Sequence, residues 1–298
     1  MLNKNGLTEE EFLKNYNPGN YERPSLTVDM VLFTLDDEEE NDIKKVPEKK
    51  LKVLLIRRKD HPFMGCYAIP GGFVDIKENI ESAVYRELKE ETNIDNVYLE
   101  QLYTWGEVNR DPRMRVVSTS YMALVNKEDI NPKAGDDADE VEWFDISKKI
   151  INSQELKVIS QIKLENKKRN ISITYEITEN IEVKGYNKTS TYDTKLVKGE
   201  KPLAFDHIQI LNYSLERMRN KVQYTTIAFS LLPRLFTLME LQQVYELLLG
   251  RELTKQNFRR WITPMVTKTD EVKKHRAHRP SALYKLNESY IINEINNI

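Results

Sequence analysis

The chain has almost no cysteine: its 298 residues include one, Cys66. An internal disulfide is excluded, and a lone thiol fits a reducing compartment. There are four histidines, and none joins Cys66 in a zinc-type cluster. Long apolar runs are missing too. None reaches the roughly 18 residues of a membrane-spanning helix, and the opening MLNKNGLTEEEF has no apolar signal core. The expected location is the cytoplasm, with no membrane partner. Charge of one sign is not in excess either. The 45 basic and 47 acidic residues leave a formal charge of -2, which selects no partner, although opposite charges can still be segregated by domain. No Gly/Ser linker interrupts the chain, so its domains are expected to pack closely.

What is present is an ordinary globular composition, 40% apolar and 31% charged. The length suggests two or three domains. Residues 26–35, 51–58, 97–106, 115–125 and 140–146 read as strands. The segment DDEEENDIKKVPEKK (36–50) reads as a charged hairpin connection. One well-marked helix starts near Asn79. Many strands around one helix predict an α+β domain of sandwich type over residues 1–150, not regular βαβ repeats. Residues 151–202 read as an added strand-rich segment or connector, with strands at 171–177, 181–186 and 190–197 forming a hairpin or small sheet. From residue 203 the period becomes helical. Helices are expected over 205–224, over 238–250 between a Thr237 cap and Gly250, and from about 255 behind Thr254. Residues 278–286 return as a strand.

The helix near Asn79 lies in GGFVDIKENIESAVYRELKEETNI (71–94). At about 100° per residue, Ile80, Ala83, Val84 and Leu88 mark an apolar face. Glu87 and Glu91 lie on that same face, with Glu90 at its edge. Buried, unpaired carboxylates are costly, so the stripe must turn toward water or toward something positive. Gly71 and Gly72 permit a tight turn at which a carbonyl can face a metal. Hard oxygen donors at this spacing suit Mg²⁺ or Mn²⁺. Gly72, Glu87, Glu90 and Glu91 are the candidate ligands, and Arg86 could tie down Glu78.

These residues resemble the Nudix box. Gly72 is followed after five residues by Glu78, and Glu78 after seven by Arg86-Glu87-Leu88, then Glu90 and Glu91. One position departs: the family's late glycine is Asn93, the residue that best tolerates a left-handed helix terminus after glycine. The resemblance implies a Nudix α/β/α sandwich and hydrolysis of a nucleoside diphosphate linked to another moiety. YERPSLTVDMVL (21–32), GEVNRDPRMRVVSTSYMALV (106–125), AGDDADEVEWF (134–144), PLAFDHIQIL (202–211) and the run from LLPRLF (231–236) to RPSALYKL (279–286) resemble one subgroup. That subgroup contains ADP-ribose pyrophosphatases and the NrtR-type repressors of NAD metabolism, with a C-terminal winged helix-turn-helix. It implies ADP-ribose or a related nucleotide as ligand.

Other candidates rest on residue chemistry. Arg57, Arg58, Arg110, Arg113 and Arg115 are suited to a diphosphate, which arginine binds bidentately. Phe73, Tyr103 and Trp105 could stack on adenine or be core. Asp137 and Glu140 could position the attacking water. His207 in AFDH is explained by capping or interdomain packing, and Cys66 reads as a small buried hydrophobe.

Over residues 251–285, ten basic residues face three acidic ones. A basic helix followed by a basic hairpin suits duplex DNA. Gln256, Asn257, Arg259 and Arg260 would lie on the recognition helix, and Arg276 and Arg279 on the wing. His278 departs from the subgroup, which commonly has glycine before Arg-Pro. The primary expectation is a divalent-metal-dependent hydrolase of ADP-ribose. The alternative is an ADP-ribose-responsive regulator that binds a palindrome as a homodimer, and one protein could be both.

Overall fold

LTVDMVLFTL (26–35) carries apolar residues on both parities, the pattern of a strand covered on both faces. The computed structural model of the chain describes residues 1–38, 47–92, 97–127, 138–273, 280–290 and 292; at 91, 92 and 138–140 it describes the backbone alone. Its elements are α1 (Glu9–Asn15), β1 (Ser25–Asp37), β2 (Lys49–Arg58), β3 (Tyr67–Ala68), β4 (Gly71–Phe73), α2 (Ile80–Thr92), β5 (Tyr98–Trp105) and β6 (Val116–Leu124). There follow β7 (Ala138–Gln154), β8 (Lys157–Asn166), β9 (Ile171–Lys184), β10 (Asn187–Lys198), α3 (His207–Lys221), α4 (Leu238–Leu249), α5 (Lys255–Ile262), β11 (Val266–Lys273) and β12 (Ser281–Leu286).

The double-faced pattern of β1 is used as expected. Val28, Met30 and Leu32 pack with Ala83, Val84 and Leu88 of α2. Val31, Phe33 and Leu35 face the other way, into a cluster with Ile208, Leu211 and Leu215 of α3. The sheet is therefore the middle layer of a sandwich. Its order is β10-β9-β8-β7-β2-β1-β6-β5, with β3 on β2 and β4 on β1. β1 and β6 run parallel, while β1 and β2 form an antiparallel pair.

The order of charges in 36–50 has a register explanation. Asp36 lies opposite Lys50 and Asp37 opposite Lys49, and Lys49 pairs with Asp37 at 2.6 Å. Acid followed by base along the sequence thus becomes acid beside base across the strands. Residues 39–46 of that connection lie outside the described residues.

The segment after 150 does not form a separate small sheet. β7 passes through position 150 without a break, and β8, β9 and β10 extend the main sheet from it. Ile162, Leu164, Ile173, Tyr175 and Ile177 join the cluster that contains Phe33. Residues 171–177 and 181–186 belong mostly to one strand, β9, because Thr178-Glu179-Asn180 pairs on both sides and makes no turn. The polar N-terminus holds a helix that its composition concealed. Thr8 and Glu11 form a capping box on α1, which buries none of its residues.

The C-terminal elements follow local signals closely. Thr237 accepts from the Glu240 N–H, Glu240 accepts in return, and Gly250 closes α4 at φ 66. Thr254 occupies the N-cap position of α5 without a side-chain cap bond. α3 starts at His207, later than expected, because Phe205 has φ 50 and cannot be helical. β11 and β12 form an antiparallel hairpin, joined through a bridge between Phe236 and Tyr284. Leu241, Val244, Tyr245, Phe258 and Ile262 fill the small core beneath, continuous with that under the sheet. Among the described residues, no helix is long and apolar enough to cross a membrane.

Candidate nucleotide site and nucleic-acid interface

Glu87 follows Ala83 and Val84 on the buried face of α2 and is itself only 8% exposed. Gly72 makes that burial possible. β4 holds Gly72 opposite Val28, so close to α2 that a Cβ there would overlap the Glu87 carboxylate. Arg86 supplies the positive charge that the stripe requires. Its guanidinium donates to both oxygens of Glu78, at 2.7 and 3.2 Å, to Glu87 at 2.7 Å, to Glu90 at 3.3 Å and to the Phe73 carbonyl at 3.1 Å. Burial pushes the Glu87 carboxyl up, and the bond from Arg86 pulls against it. The bond from Arg86 holds Glu78 below the usual carboxylate range.

Among the described residues, no three His, Cys, Asp or Glu side chains are gathered as a metal cage; Glu78, Glu87 and Glu90 converge on Arg86. The Glu91 side chain lies outside the description. The donors nevertheless fit a hard divalent cation in their chemistry, since all are oxygens, and the Glu87 carboxylate itself fills the place a Cβ at residue 72 would take. Gly72→Ala is expected to displace that carboxylate. It should lower stability by about 1–3 kcal/mol through overpacking, as read by thermal melts. A variant with unchanged melting would show that the close approach is unimportant.

The candidate arginines separate into two groups. Arg58 and Arg113 come together with Phe73. Arg113 lies 5.7 Å from the Phe73 ring and 5.9 Å from that of Phe205, and Arg58 lies 5.0 Å from the Phe205 ring. Arg113 is also held bidentately by Asp111, at 3.1 and 2.8 Å. Arg57 is exposed at the end of β2. Arg110 points inward instead. It donates to Asp206 at 2.9 and 2.7 Å and to Asp29 at 3.2 Å, and its side chain is 5% exposed. Arg115 is bonded to the carbonyls of Gly106 and Glu107. Tyr103 and Trp105 pack with Tyr213 of α3, at 5.5 and 6.0 Å, apart from the Phe73 group. Asp137 lies outside the described residues, as does the side chain of Glu140.

On α5, Phe258 and Ile262 are buried, while Gln256, Asn257, Arg259 and Arg260 are exposed. The four expected DNA-facing side chains therefore stand clear of the core that holds the helix. Arg276 and Arg279 lie outside the described residues.

Comparison with known proteins finds relatives of both parts of the chain. The sequence profile of the NUDIX domain matches residues 41–158, and that of the NrtR DNA-binding winged helix domain matches residues 228–286. The ADPR responsive transcriptional repressor NtrR of Acinetobacter baylyi is 32% identical over 288 residues, which are 95% of this chain and 90% of the relative. The chain belongs to the NrtR family of Nudix proteins. A MutT/nudix family protein from Enterococcus faecalis has a similar structure, with 32% identity, a TM-score of 0.67 and 94% of each chain covered. Shewanella oneidensis NrtR, solved with a 27mer DNA, matches with 29% identity and a TM-score of 0.58, over 89% of this chain and 94% of that one. An ADP-ribose pyrophosphatase from Methanocaldococcus jannaschii is 46% identical over 100 residues, 34% of this chain and 58% of that enzyme.

In this NrtR-family chain, residue-by-residue reading missed the group behind the glycine turn. Ser118 Oγ donates to Asp29 at 2.6 Å, and His207 Nδ1 accepts from the Ile69 N–H at 2.8 Å. His207 is buried, which pushes its imidazole below the usual range. Its Nδ1 accepts, so the neutral ring carries its proton on Nε2. One signal could have found this group: Asp29 is the single acid inside the apolar run 26–35. Cys66 is a buried free thiol, as expected.

Proposed function

We propose that the protein is a DNA-binding transcriptional regulator whose Nudix domain binds ADP-ribose and also hydrolyses it. The observation that carries the regulatory half is α5, which buries Phe258 and Ile262 and leaves Gln256, Asn257, Arg259 and Arg260 exposed. A helix exposed in this way fits the major groove. Full-length similarity to an ADPR responsive repressor supports the same reading. In this proposal residues 1–150 read the nucleotide, 151–202 brace them, and 203–298 bind DNA. A homodimer would present two α5 helices, about 34 Å apart, to a palindromic site. Promoters of NAD metabolism are the targets the family suggests.

The hydrolytic half is supported by Glu87, packed against Gly72, and by Glu78 and Glu90, which share Arg86 with it. Glu87, Glu90 and Glu91, with the Gly72 backbone, would hold a divalent ion, Mg²⁺ or Mn²⁺. Such an ion, when bound, neutralises diphosphate oxygens and acidifies a water. Arg86 keeps Glu78, Glu87 and Glu90 in place, Arg57 would bind the diphosphate, and Arg58 and Arg113 would contact the rest of the nucleotide. Asp137 or Glu140 would position the attacking water. Water adds to phosphorus, the bridging P–O bond breaks, and the products are AMP and ribose 5-phosphate.

The test is a gel shift of the protein's own upstream region and of NAD-gene promoters against random duplex, with and without ADP-ribose. Selective shifts that ADP-ribose alters are expected, together with AMP release when Mg²⁺ is added. ADP-ribose changes affinity only if it binds the free and DNA-bound forms differently. Equal affinity for every duplex would remove the regulatory reading. Selective shifts without AMP release would remove the hydrolytic one.

A further inference from the structure

Phe205 combines three features. It has φ 50, a region that a bulky side chain enters only under constraint. Its ring is approached by two guanidiniums, Arg58 at 5.0 Å and Arg113 at 5.9 Å, and it meets Phe63 edge-on at 4.8 Å. It is also fixed from behind by its chain neighbours. Asp206 clamps Arg110 at 2.7 and 2.9 Å, and His207 takes the N–H of Ile69, three residues before Gly72, at 2.8 Å. A partly exposed ring is thus held in a strained backbone conformation by buried polar bonds on one side of it.

The neighbouring guanidiniums have their edges engaged. Arg113 is bonded along one edge to Asp111, and Arg58 Nε donates to the Pro62 carbonyl at 2.8 Å. Arg113 also lies 5.7 Å from the Phe73 ring, so two phenyl rings share this flat cation. Flat faces of alternating π and cationic character are what a nucleobase stacks against. The Phe73 carbonyl bonds to Arg86 at 3.1 Å, which places this group next to the carboxylate helix.

We infer that Phe205 is a ligand-contact residue, the aromatic wall against which the base of a nucleoside diphosphate derivative packs, with Arg58 and Arg113 at its flanks. The inference rests on the nucleotide-binding reading given above and adds to it a residue outside the box motif. Phe205 is two residues ahead of α3, and Leu215 and Met218 of α3 share a core cluster with Leu248 of α4.

The test is calorimetric titration of full-length wild-type, Phe205→Leu and Phe205→Tyr proteins with two probes: ADP-ribose, and inorganic pyrophosphate, which has no base. Phe205→Leu should weaken ADP-ribose about tenfold or more and leave pyrophosphate within about twofold. Phe205→Tyr should restore ADP-ribose binding. Wild-type affinity for ADP-ribose in Phe205→Leu would overturn the inference. An equal loss for both probes would also overturn it, because that pattern belongs to a residue that only shapes the fold. Failure of the unmutated chain to bind ADP-ribose would instead overturn the nucleotide reading, and this inference with it.

Discussion

Glu87→Gln is expected to lower AMP release from ADP-ribose by about 10²–10³-fold, the loss associated with one preorganised charge at a phosphoryl centre. The substitution keeps size and shape and removes a formal charge at a position 8% exposed. Arg86 keeps two other carboxylate partners, Glu78 and Glu90, so the helix should stay docked and the melting temperature should change by only a few degrees. Glu90→Gln and Glu91→Gln are expected to act in the same direction. DNA affinity without ligand should not change, because α5 makes no contribution to this pocket. Turnover that stays at the wild-type level in saturating Mg²⁺ would remove Glu87 from the catalytic set.

Arg259→Ala combined with Arg260→Ala should weaken DNA binding by about 10²-fold or more, since each arginine contact to a base edge is worth about 1–3 kcal/mol. Both side chains are exposed, and alanine favours helix, so Phe258 and Ile262 should still seat α5. Phosphate contacts release counterions, so the double variant should also flatten the dependence of affinity on salt. Turnover of ADP-ribose should not move. Affinity and salt slope that match the wild type would assign α5 to packing and leave DNA recognition to another surface.

Features set by neighbouring residues were legible in the sequence. The carboxylates within the α2 stripe called for water or a positive charge, and the charge bonded there is Arg86 of the same helix. Thr237 and Gly250 bounded α4 because caps are local chemistry. Features set by distant pairing were not legible. Strand β8 has an ordinary alternating sequence, and nothing in it says that it joins β7. Arg110 and Arg113 are three residues apart with the same chemistry. They take opposite roles because Asp206, 96 residues from Arg110, reaches only that one. Phe205 was hidden by its backbone, since a positive φ at a phenylalanine follows from what surrounds it.

β7 has a consequence for how this molecule can be cut. Its first half pairs with β2 through Arg58, and its second half pairs with β8 as far as Lys157. Asp145 belongs to both ladders, opposite Lys52 on one side and Glu165 on the other. A fragment that ends at residue 150 would keep the first ladder and sever the second. It would uncover the strand edge that β8 occupies and the face where Ile146 meets Leu164. Such a fragment should aggregate, whereas a boundary past α3, which ends at Lys221, leaves every ladder of the sheet intact and keeps Ile208, Leu211 and Leu215 over it. The smallest workable piece of the nucleotide-reading part is therefore expected to be set by where the sheet and its covering helix end, not by where the box motif does.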